Sequence, residues 1–254
     1  MNFRLTWLPE VLLDAGLKVS KEPGWENRGT REIGDIRGVM CHHTAGSKKG
    51  NMGSLRLVRD GRTGLAGPLS QLCLGRDGTF FVVAAGRANH AGRGEWKGEK
   101  GGNSHFIGIE AGNTGLTNDF PWPEVQMDAY RRGCAAILKH IGHRDAAMCC
   151  GHREFRKPKI DPLFNMNTFR LDVTAIMNGQ VPVIIKTPKI DPTGRPTLRH
   201  GATGELVKKI QANVGVNVDG DFGPKTEAAV REFQRTQGLV PDGIVGPRPW
   251  AAMD

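Results

Sequence analysis

Val39-Met40-Cys41-His42-His43-Thr44-Ala45 is the stretch that decides how this 254-residue chain is interpreted. The apolar residues that lead into it predict a buried strand over residues 36–41, and the strand ends on two imidazoles. Successive side chains of a strand point to opposite faces of a sheet, so only one of the two histidines can face a given site. The stretch therefore predicts a strand that delivers one histidine to a site at its end.

Two residues far along the chain carry matching chemistry. His152 follows the short apolar run Met148-Cys149-Cys150, and Asp161 comes nine positions after it, both in sequence broken by glycine and proline. Two histidines and a carboxylate are a ligand set that holds catalytic zinc and leaves one coordination position open. A predicted strand over residues 106–110 lies between them and ends in Glu110. Together these residues predict a zinc hydrolase, whereas an isolated histidine is more often an ordinary core or surface imidazole.

The composition predicts a packed globular protein with a preference for polyanionic partners. Hydrophobic residues make up 38% and charged residues 24% of the chain, which is typical of a protein with a core. The formal charge of +9 favours nucleic acid, an anionic cell wall or a membrane surface, but the scattered Lys and Arg do not choose between them. The five cysteines are an odd number and lie mostly in apolar stretches, which indicates a reduced protein.

The first residues predict a helix and not a targeting segment. Residues 5–17 are interrupted by Pro9, Glu10 and Asp14, so they are too polar for a signal peptide and too short for a membrane span. Their apolar positions fit one face of a short helix that ends at Gly16. We therefore expect a protein made in the cytoplasm with no export signal of its own and no membrane span.

Strands and helices alternate in the first two thirds of the chain. Strands are predicted at residues 72–74 and 80–83, around the turn Arg76-Asp77-Gly78, and at residues 148–150. A long amphipathic helix is predicted through residues 127–141, and a last helix is predicted with Asn167 as its cap. This mixture predicts an α/β or α+β fold, with helices that flank a mixed central sheet.

A proline-rich stretch, residues 180–196, predicts a linker between a catalytic domain at residues 1–179 and a second domain at residues 197–254. The second domain contains a repeat, because Asp219-Gly220-Asp221-Phe222-Gly223-Pro224 recurs as Asp242-Gly243-Ile244-Val245-Gly246-Pro247. Each copy predicts a glycine turn followed by a proline that begins a helix. We expect a small all-α domain of three helices.

Several motifs occur in the order found in one known family. The chain resembles the type-2 N-acetylmuramoyl-L-alanine amidases, shared by bacteriophage endolysins, bacterial recycling amidases and peptidoglycan recognition proteins, over roughly residues 35–177. Residues 197–253 resemble the three-helix peptidoglycan-binding domain. The motifs that carry the first resemblance are Cys41-His42-His43-Thr44-Ala45, Gly75-Arg76-Asp77-Gly78-Thr79, Asn89-His90-Ala91-Gly92, Phe106-Ile107-Gly108-Ile109-Glu110 and Lys159-Ile160-Asp161-Pro162.

The resemblance implies a zinc (Zn²⁺) cofactor and a set of site residues. A carboxylate would work on the attacking water, and a lysine would stabilise the negative charge that develops. The implied residues are the metal ligands His42, His152 and Asp161, the catalytic Glu110 and Lys159, and His90 and Asn103 along the substrate groove.

Two departures from the family pattern remain open. Some relatives place a tyrosine where this chain has Ser70, and its only tyrosine, Tyr130, falls in the long helix, so Glu110 would carry more of the chemistry. Cys149 or Cys150 could instead supply a thiolate ligand to zinc, although free cysteines in a strand are more often buried small hydrophobic residues.

The resulting interpretation is a monomeric phage-type endolysin that cuts the amide between N-acetylmuramic acid and L-alanine in peptidoglycan. We expect it to stay in the host bacterial cytoplasm until release to the periplasm and cell wall. The alternatives are a non-catalytic peptidoglycan recognition protein and a zinc peptidase that cuts within the stem peptide. Nucleic-acid binding would rest on charge alone and is not expected.

Overall fold

A computed structural model of the chain describes residues 4–180, 193–199, 201–239 and 243–254. The chain divides into two compact units, Met1–Pro182 and Val183–Asp254. Most of the predicted linker, residues 180–196, lies outside the described residues. The proposed boundaries at 1–179, 180–196 and 197–254 therefore stay predictions.

The first unit contains eight strands and six helices among its described residues. The strands are β1 (Lys18–Lys21), β2 (Gly38–His43), β3 (Gly61–Arg62), β4 (Leu65–Ala66), β5 (Leu72–Leu74), β6 (Thr79–Val82), β7 (Phe106–Ala111) and β8 (Cys149–Gly151). The helices are α1 (Leu8–Asp14), α2 (Leu55–Asp60), α3 (Gly102–His105), α4 (Glu124–His140), α5 (His152–Phe155) and α6 (Met166–Met177). Short 3₁₀ turns lie at Arg4–Trp7, Trp25–Asn27 and Thr117–Asp119.

Six of the strands form one mixed sheet in the order β1-β6-β5-β7-β2-β8. Only the pair β5 and β6 is antiparallel, and every other neighbouring pair is parallel. In the register of the sheet, His42 lies opposite Glu110, and Cys41 lies opposite both Ile109 and Gly151. The predicted mixed α/β sheet is thus confirmed, and its central strands end side by side at the edge where the candidate site residues lie.

Helices cover the sheet because its central strands are apolar on both faces. All six residues of β2 are buried, as expected for a parallel strand packed on both sides. The main core brings the sheet together with apolar residues of α1, α4 and α6, including Leu8, Ile137 and Phe169. None of the helices in the described part of the chain is long and apolar enough to span a bilayer.

Most of the predicted elements occur close to their expected bounds. The hairpin around Arg76-Asp77-Gly78 joins β5 to β6, and the first helix ends just before Gly16, whose φ of 68° suits glycine. One cap was wrong: Asn165, not Asn167, begins α6, and its side chain accepts from the amides of Asn167 and Thr168. Asn165 has the extended backbone that a cap needs, whereas Asn167 already lies inside the helix.

The second unit is a small helical bundle, as the sequence predicted. Its helices are α7 (Glu205–Val214), α8 (Pro224–Thr236) and α9 (Pro247–Met253). Both repeat prolines begin a helix. The core is formed by Val207, Ile210, Phe222, Val230, Val245, Trp250 and Met253.

The repeat extends to a buried glutamine in each of two helices. The side-chain oxygen of Gln211 accepts from the amide of Gly220 at 2.8 Å, and its nitrogen donates to the carbonyl of Asp221. Gln234 does the same to Gly243 and Ile244 one repeat later. Each helix therefore holds the glycine turn that follows it. This feature was not predicted from the sequence, although glutamine precedes glycine by nine residues in both repeats.

Candidate metal centre

Three separate elements bring the predicted ligands together. His42 stands at the carboxyl end of β2, His152 is the first residue of α5 directly after the neighbouring strand β8, and Asp161 lies in the loop between α5 and α6. His42 is 1% exposed and the Asp161 side chain 13%. Residues 110 positions apart meet because parallel strands end at the same edge of the sheet.

The ligand atoms form a nearly equilateral triangle. The Nδ1 atoms of His42 and His152 are 3.1 Å apart, and each lies 3.1 Å from Oδ2 of Asp161. A triangle of this size lets one ion lie about 2 Å from all three atoms, the usual length of zinc bonds to nitrogen and carboxylate oxygen. The three residues are a group able to hold a metal ion.

The hydrogen bonds at Nε2 of His42 and His152 show which ring nitrogen of each residue carries the proton. Nε2 of His152 lies 3.0 Å from the carbonyl oxygen of Ala91, which can only accept, so the proton of the neutral ring is on Nε2. Nε2 of His90 faces the carbonyl oxygen of Phe106 in the same way, which leaves Nδ1 of His90 to accept from Nε2 of His42. Both ligand Nδ1 atoms then carry lone pairs.

Three acceptors therefore converge on one point. Two imidazole lone pairs and a carboxylate oxygen would repel one another at 3.1 Å unless a cation lay between them. Nitrogen and oxygen donors in this number suit zinc with an open position. The residues present thus fit the metal that the sequence predicted.

The pKa shifts agree with this assignment. Burial lowers the pKa of His42 to about 4, and the neighbouring Asp161 carboxylate offsets only part of that shift. Burial also holds the pKa of His90 well below its usual range, assisted by the neighbouring His42 and His152. Burial alone would raise the pKa of Asp161, but the closeness of His152 and His42 outweighs burial and lowers it. Neutral rings and an ionised carboxylate are the ligand forms that bind a metal.

Glu110 lies beside the ligand triangle, and Lys159 is near enough for its charge to act there. Oε1 of Glu110 is 4.0 Å from Nδ1 of His42, and its Oε2 has no hydrogen-bond partner among the described residues although it is buried. Burial raises the pKa of Glu110 to about 8; the charge of Asp161 raises it further, and that of Lys159 lowers it. Lys159 is exposed, and its charge acts on His42 as well as on Glu110.

The structure places His90 and Asn103 behind the ligands. His90 is 8% exposed, and both of its ring nitrogens are engaged, one by His42 and one by Phe106. Oδ1 of Asn103 accepts from the backbone amides of His90 and Ala91. Contact of either residue with substrate stays a prediction, and what the structure shows is a second layer around the ligand histidines.

Other residues that hold the ligands in place were not predicted from the sequence. The Tyr130 hydroxyl accepts from the amide of His42 at 2.9 Å and lies 2.9 Å from the carbonyl oxygen of Ile109. Glu154 accepts from the amide of Gly151 and is paired with Arg170, which fixes the start of α5. The motif Gly151-His152-Arg153-Glu154 contained the signal, because a glutamate at the third helical position often bonds back to the start of its helix.

The second histidine and the cysteines lie away from the triangle. His43 packs against Trp122, as the alternation along β2 predicts. The Sγ atom of Cys41 lies 3.9 Å from that of Cys134 and 3.7 Å from that of Cys149, and all three belong to the main core. Their spacing would also suit a metal ion. Burial raises the pKa of Cys41 and Cys134, whereas hydrogen bonds with Cys134 and Cys41 lower the pKa of Cys149 to about 5. A thiolate ligand from Cys149 therefore stays an open alternative, at a cluster separate from the ligand triangle.

Comparisons with protein families identify both units. The family described as N-acetylmuramoyl-L-alanine amidase matches residues 32–163, just over half of the chain. A family described as a peptidoglycan binding domain matches residues 203–253.

Comparisons with individual proteins find shorter or more distant similarity. An uncharacterized protein of Kitasatospora aureofaciens is 49% identical over 69 residues, which are 24% of this chain and 58% of that protein. The zinc D-Ala-D-Ala carboxypeptidase of Streptomyces albus G is 44% identical over 59 residues, which are 20% of this chain and 23% of the carboxypeptidase. The chain thus spans less than two thirds of the length of either relative.

Two solved structures with a similar chain path are distant in sequence. The N-acetylmuramoyl-L-alanine amidase LysC from Clostridium intestinale matches with a TM-score of 0.46 and 15% identity, over 61% of this chain and 97% of its own. The amidase AmiD from E. coli matches with a TM-score of 0.45 and 18% identity, over 89% of this chain and 90% of its own.

Proposed function

The chain belongs to the N-acetylmuramoyl-L-alanine amidase family, and from this premise we propose a zinc-dependent peptidoglycan hydrolase that cuts between N-acetylmuramic acid and the L-alanine of the stem peptide. The observation that carries the proposal is the convergence of two imidazole lone pairs and a carboxylate oxygen at 3.1 Å. The peptidoglycan-binding unit at residues 203–253 supports the same substrate.

His42, His152 and Asp161 would hold the metal. Zinc bound there supplies a Lewis acid that polarises the substrate carbonyl and activates water at neutral pH. Three ligands leave a fourth coordination position for water or substrate; the closeness of Glu110 to His42 and the charge of Lys159 support their roles beside it.

Glu110 is the residue that would move the proton. Once ionised, Glu110 can accept a proton from the attacking water on its unpartnered Oε2 while the water oxygen bonds to the carbonyl carbon; with a pKa of about 8, this form grows as the pH rises. The same oxygen would then give the proton to the alanine nitrogen as the carbon–nitrogen bond breaks. The Lys159 ammonium would stabilise negative charge on the carbonyl oxygen, since a well-placed donor contributes about 3–4 kcal/mol to such a step.

The products of digestion test which bond is cut. Mass spectrometry of purified peptidoglycan treated with the full chain should show intact glycan strands and stem peptides that begin with a free L-alanine amine, and a chelator should abolish their release. A freed amine on a cross-bridge residue would instead identify a peptidase. Wall binding without any released fragment would identify a recognition protein.

Replacement of Glu110 by glutamine separates chemistry from metal binding. The Glu110→Gln variant should keep its metal and lose about 10²–10⁴-fold in stem-peptide release, because the proton acceptor is gone. The exposed Glu95 provides a matched control, and Glu95→Gln should release peptides at the wild-type rate. Full activity of Glu110→Gln would contradict this role for Glu110.

We extend the proposal to the biological role of an endolysin. Two wall-directed units in one chain and a net charge of +9 support docking on anionic envelopes. The protein would act as a monomer, stay in the host cytoplasm and reach the wall once the membrane is opened. Cells that express it should lyse when the membrane is permeabilised; continued integrity of such cells, with purified wall still digested, would argue for another role.

A further inference from the structure

Both ligand histidines are backed by one short loop, Asn89-His90-Ala91-Gly92. The outer nitrogen of each ligand histidine is Nε2, which faces away from the ligand triangle. Nδ1 of His90 lies 3.1 Å from Nε2 of His42, and the carbonyl oxygen of Ala91 lies 3.0 Å from Nε2 of His152. His42 comes from strand β2 and His152 from the start of helix α5, 110 positions later, so the loop is a single element that touches both from behind.

We propose that His90 and Asn103 are positioning residues that fix the protons of both ligand histidines and thereby point both Nδ1 lone pairs at the metal. His90 acts through its ring, and Asn103 acts by holding the loop that carries His90 and Ala91. This inference rests on the metal site proposed above, and it assigns neither residue to the substrate groove.

The proton arrangement follows from two carbonyl oxygens. The carbonyl of Phe106 on β7 requires a proton on Nε2 of His90, at 3.1 Å. Nδ1 of His90 then accepts, which requires a proton on Nε2 of His42. The carbonyl of Ala91 requires a proton on Nε2 of His152. Outer partners of this kind typically fix the tautomer and the ring orientation of a ligand histidine.

Asn103 secures the loop with one atom. Its Oδ1 accepts from the amide of His90 at 2.8 Å and from the amide of Ala91 at 2.7 Å. These two successive amides flank the ring and the carbonyl that hold the ligands. Loss of this oxygen would free the loop at the point where both ligand histidines depend on it.

Among the described residues, Nε2 of His42 has Nδ1 of His90 as its hydrogen-bond partner. The loop that carries His90 packs in a buried apolar cluster of Met40, Ala91, Phe106, Cys150 and Phe155. With His90 replaced by an apolar residue, the Nε2 proton of His42 loses its acceptor. This loss favours the tautomer with the proton on Nδ1, where it would point into the metal site. The expected result is weaker metal binding and not merely a weaker fold.

Zinc affinity of the full chain tests the proposal without reference to activity. Competition with a chromophoric chelator should show about 10–100-fold weaker zinc binding in His90→Ala, the usual effect of removing an outer partner. His90→Asn should recover part of the loss, because its side-chain oxygen can accept from His42. Asn103→Leu should weaken zinc binding while Asn103→Asp, which keeps an accepting oxygen, should not.

A matched control is His143, whose Nε2 also lies near a backbone carbonyl, that of Arg37, at 2.9 Å. His143→Ala should bind zinc as the wild type does. Unfolding midpoints of the chelator-treated variants report any general loss of stability. Zinc binding by His90→Ala and Asn103→Leu equal to wild type would overturn the inference.

Histidine nitrogen NMR of the metal-free protein provides a second, metal-independent test. The wild type should show His42 and His152 with protons on Nε2, and His90→Leu should shift His42 but not His152 toward Nδ1. An unchanged His42 tautomer would overturn the proton assignment. If His42→Ala binds zinc as tightly as wild type, the proposed metal site itself fails; if only the His90 variants do, the site stands and this inference fails.

Discussion

At Gly108, in the middle of β7, a single added methyl group would lie 2.9 Å from the ring of His90 and 2.8 Å from Oγ of Ser70. Contacts that short do not occur, so one of the neighbours would have to move. The Ser70 hydroxyl can rotate, but the His90 ring is held between His42 and Phe106. Glycine at this position is therefore what lets the ring reach the ligand.

Gly108→Ala should displace the His90 ring and weaken zinc binding by about tenfold or more, the size of effect expected when an outer ligand partner is lost. Chelator competition measures it. Gly53→Ala is a suitable control, because a Cβ atom there meets nothing within 4 Å. Zinc binding by Gly108→Ala equal to that of Gly53→Ala would show that the ring position does not matter.

At the scale of residues, sequence predicted the ligand identities better than their surroundings. His42, His152 and Asp161 could be named because their types and flanking sequence suit a metal site and match a family pattern. His90 and Asn103 were named for the substrate groove, but their place behind the ligands could not be predicted, because it depends on contacts of the His90 ring and of the Ala91 backbone carbonyl. Hydrogen bonds to backbone atoms depend on chain path, which no residue type reveals.

Helix α4 is tied to the centre of the sheet by one hydroxyl group. Tyr130 is fully buried; its oxygen accepts from the amide of His42 and lies within hydrogen-bond distance of Ile109 O. Burial raises its pKa well above the ordinary value, so the hydroxyl keeps its proton. The sequence placed Tyr130 in the helix correctly, but its link to the ligand strand depends on how the helix packs.

Tyr130→Phe should destabilise the protein by about 1–3 kcal/mol, because the amide of His42 and the carbonyl of Ile109 lose a buried partner. Chemical denaturation measures the change, and zinc binding reports whether the end of β2 has moved. A free energy of unfolding equal to that of the wild type would contradict the link between helix and sheet.

The second unit offers a paired test at the scale of elements. Gln211→Leu and Gln234→Leu each remove the side-chain bonds to the amide and the carbonyl of the glycine turn that follows, and Gln211→Leu also removes bonds to Asp219 and Thr226. Each variant should lower the stability of that unit by about 1–3 kcal/mol. Thermal unfolding of the full chain should show the loss in both variants. An unchanged transition in both would mean that the turns hold without the glutamines.

Elements were predictable where the local pattern was strong. The strands β2, β5 and β7 contain uninterrupted apolar runs and the helix α4 has a long apolar period, and the sequence located them within a few residues. Strand β1, Lys-Val-Ser-Lys, was missed because three of its four residues are polar, as suits a strand at the edge of the sheet that pairs with β6. The start of α6 was misplaced because Asn165 and Asn167 are equally good caps by residue type.

At the scale of the whole molecule, the division into two units followed from the change in composition and from the repeat. The meeting of His42 and His152 did not follow from spacing, because it requires β2 and β8 to be parallel neighbours. That pairing is set by the order of strands in the sheet. The family resemblance predicted the meeting, and the register of the strands gives its physical reason.

The metal content of the purified full chain tests the central claim most directly. The account predicts about one zinc ion per chain in the wild type, since its three ligands form one site, and little or none in His42→Ala and Asp161→Ala. It also predicts that stem-peptide release is lost with the metal and returns when zinc is restored to the wild type. Release of L-alanine-terminated stem peptides by protein that carries no metal would contradict it.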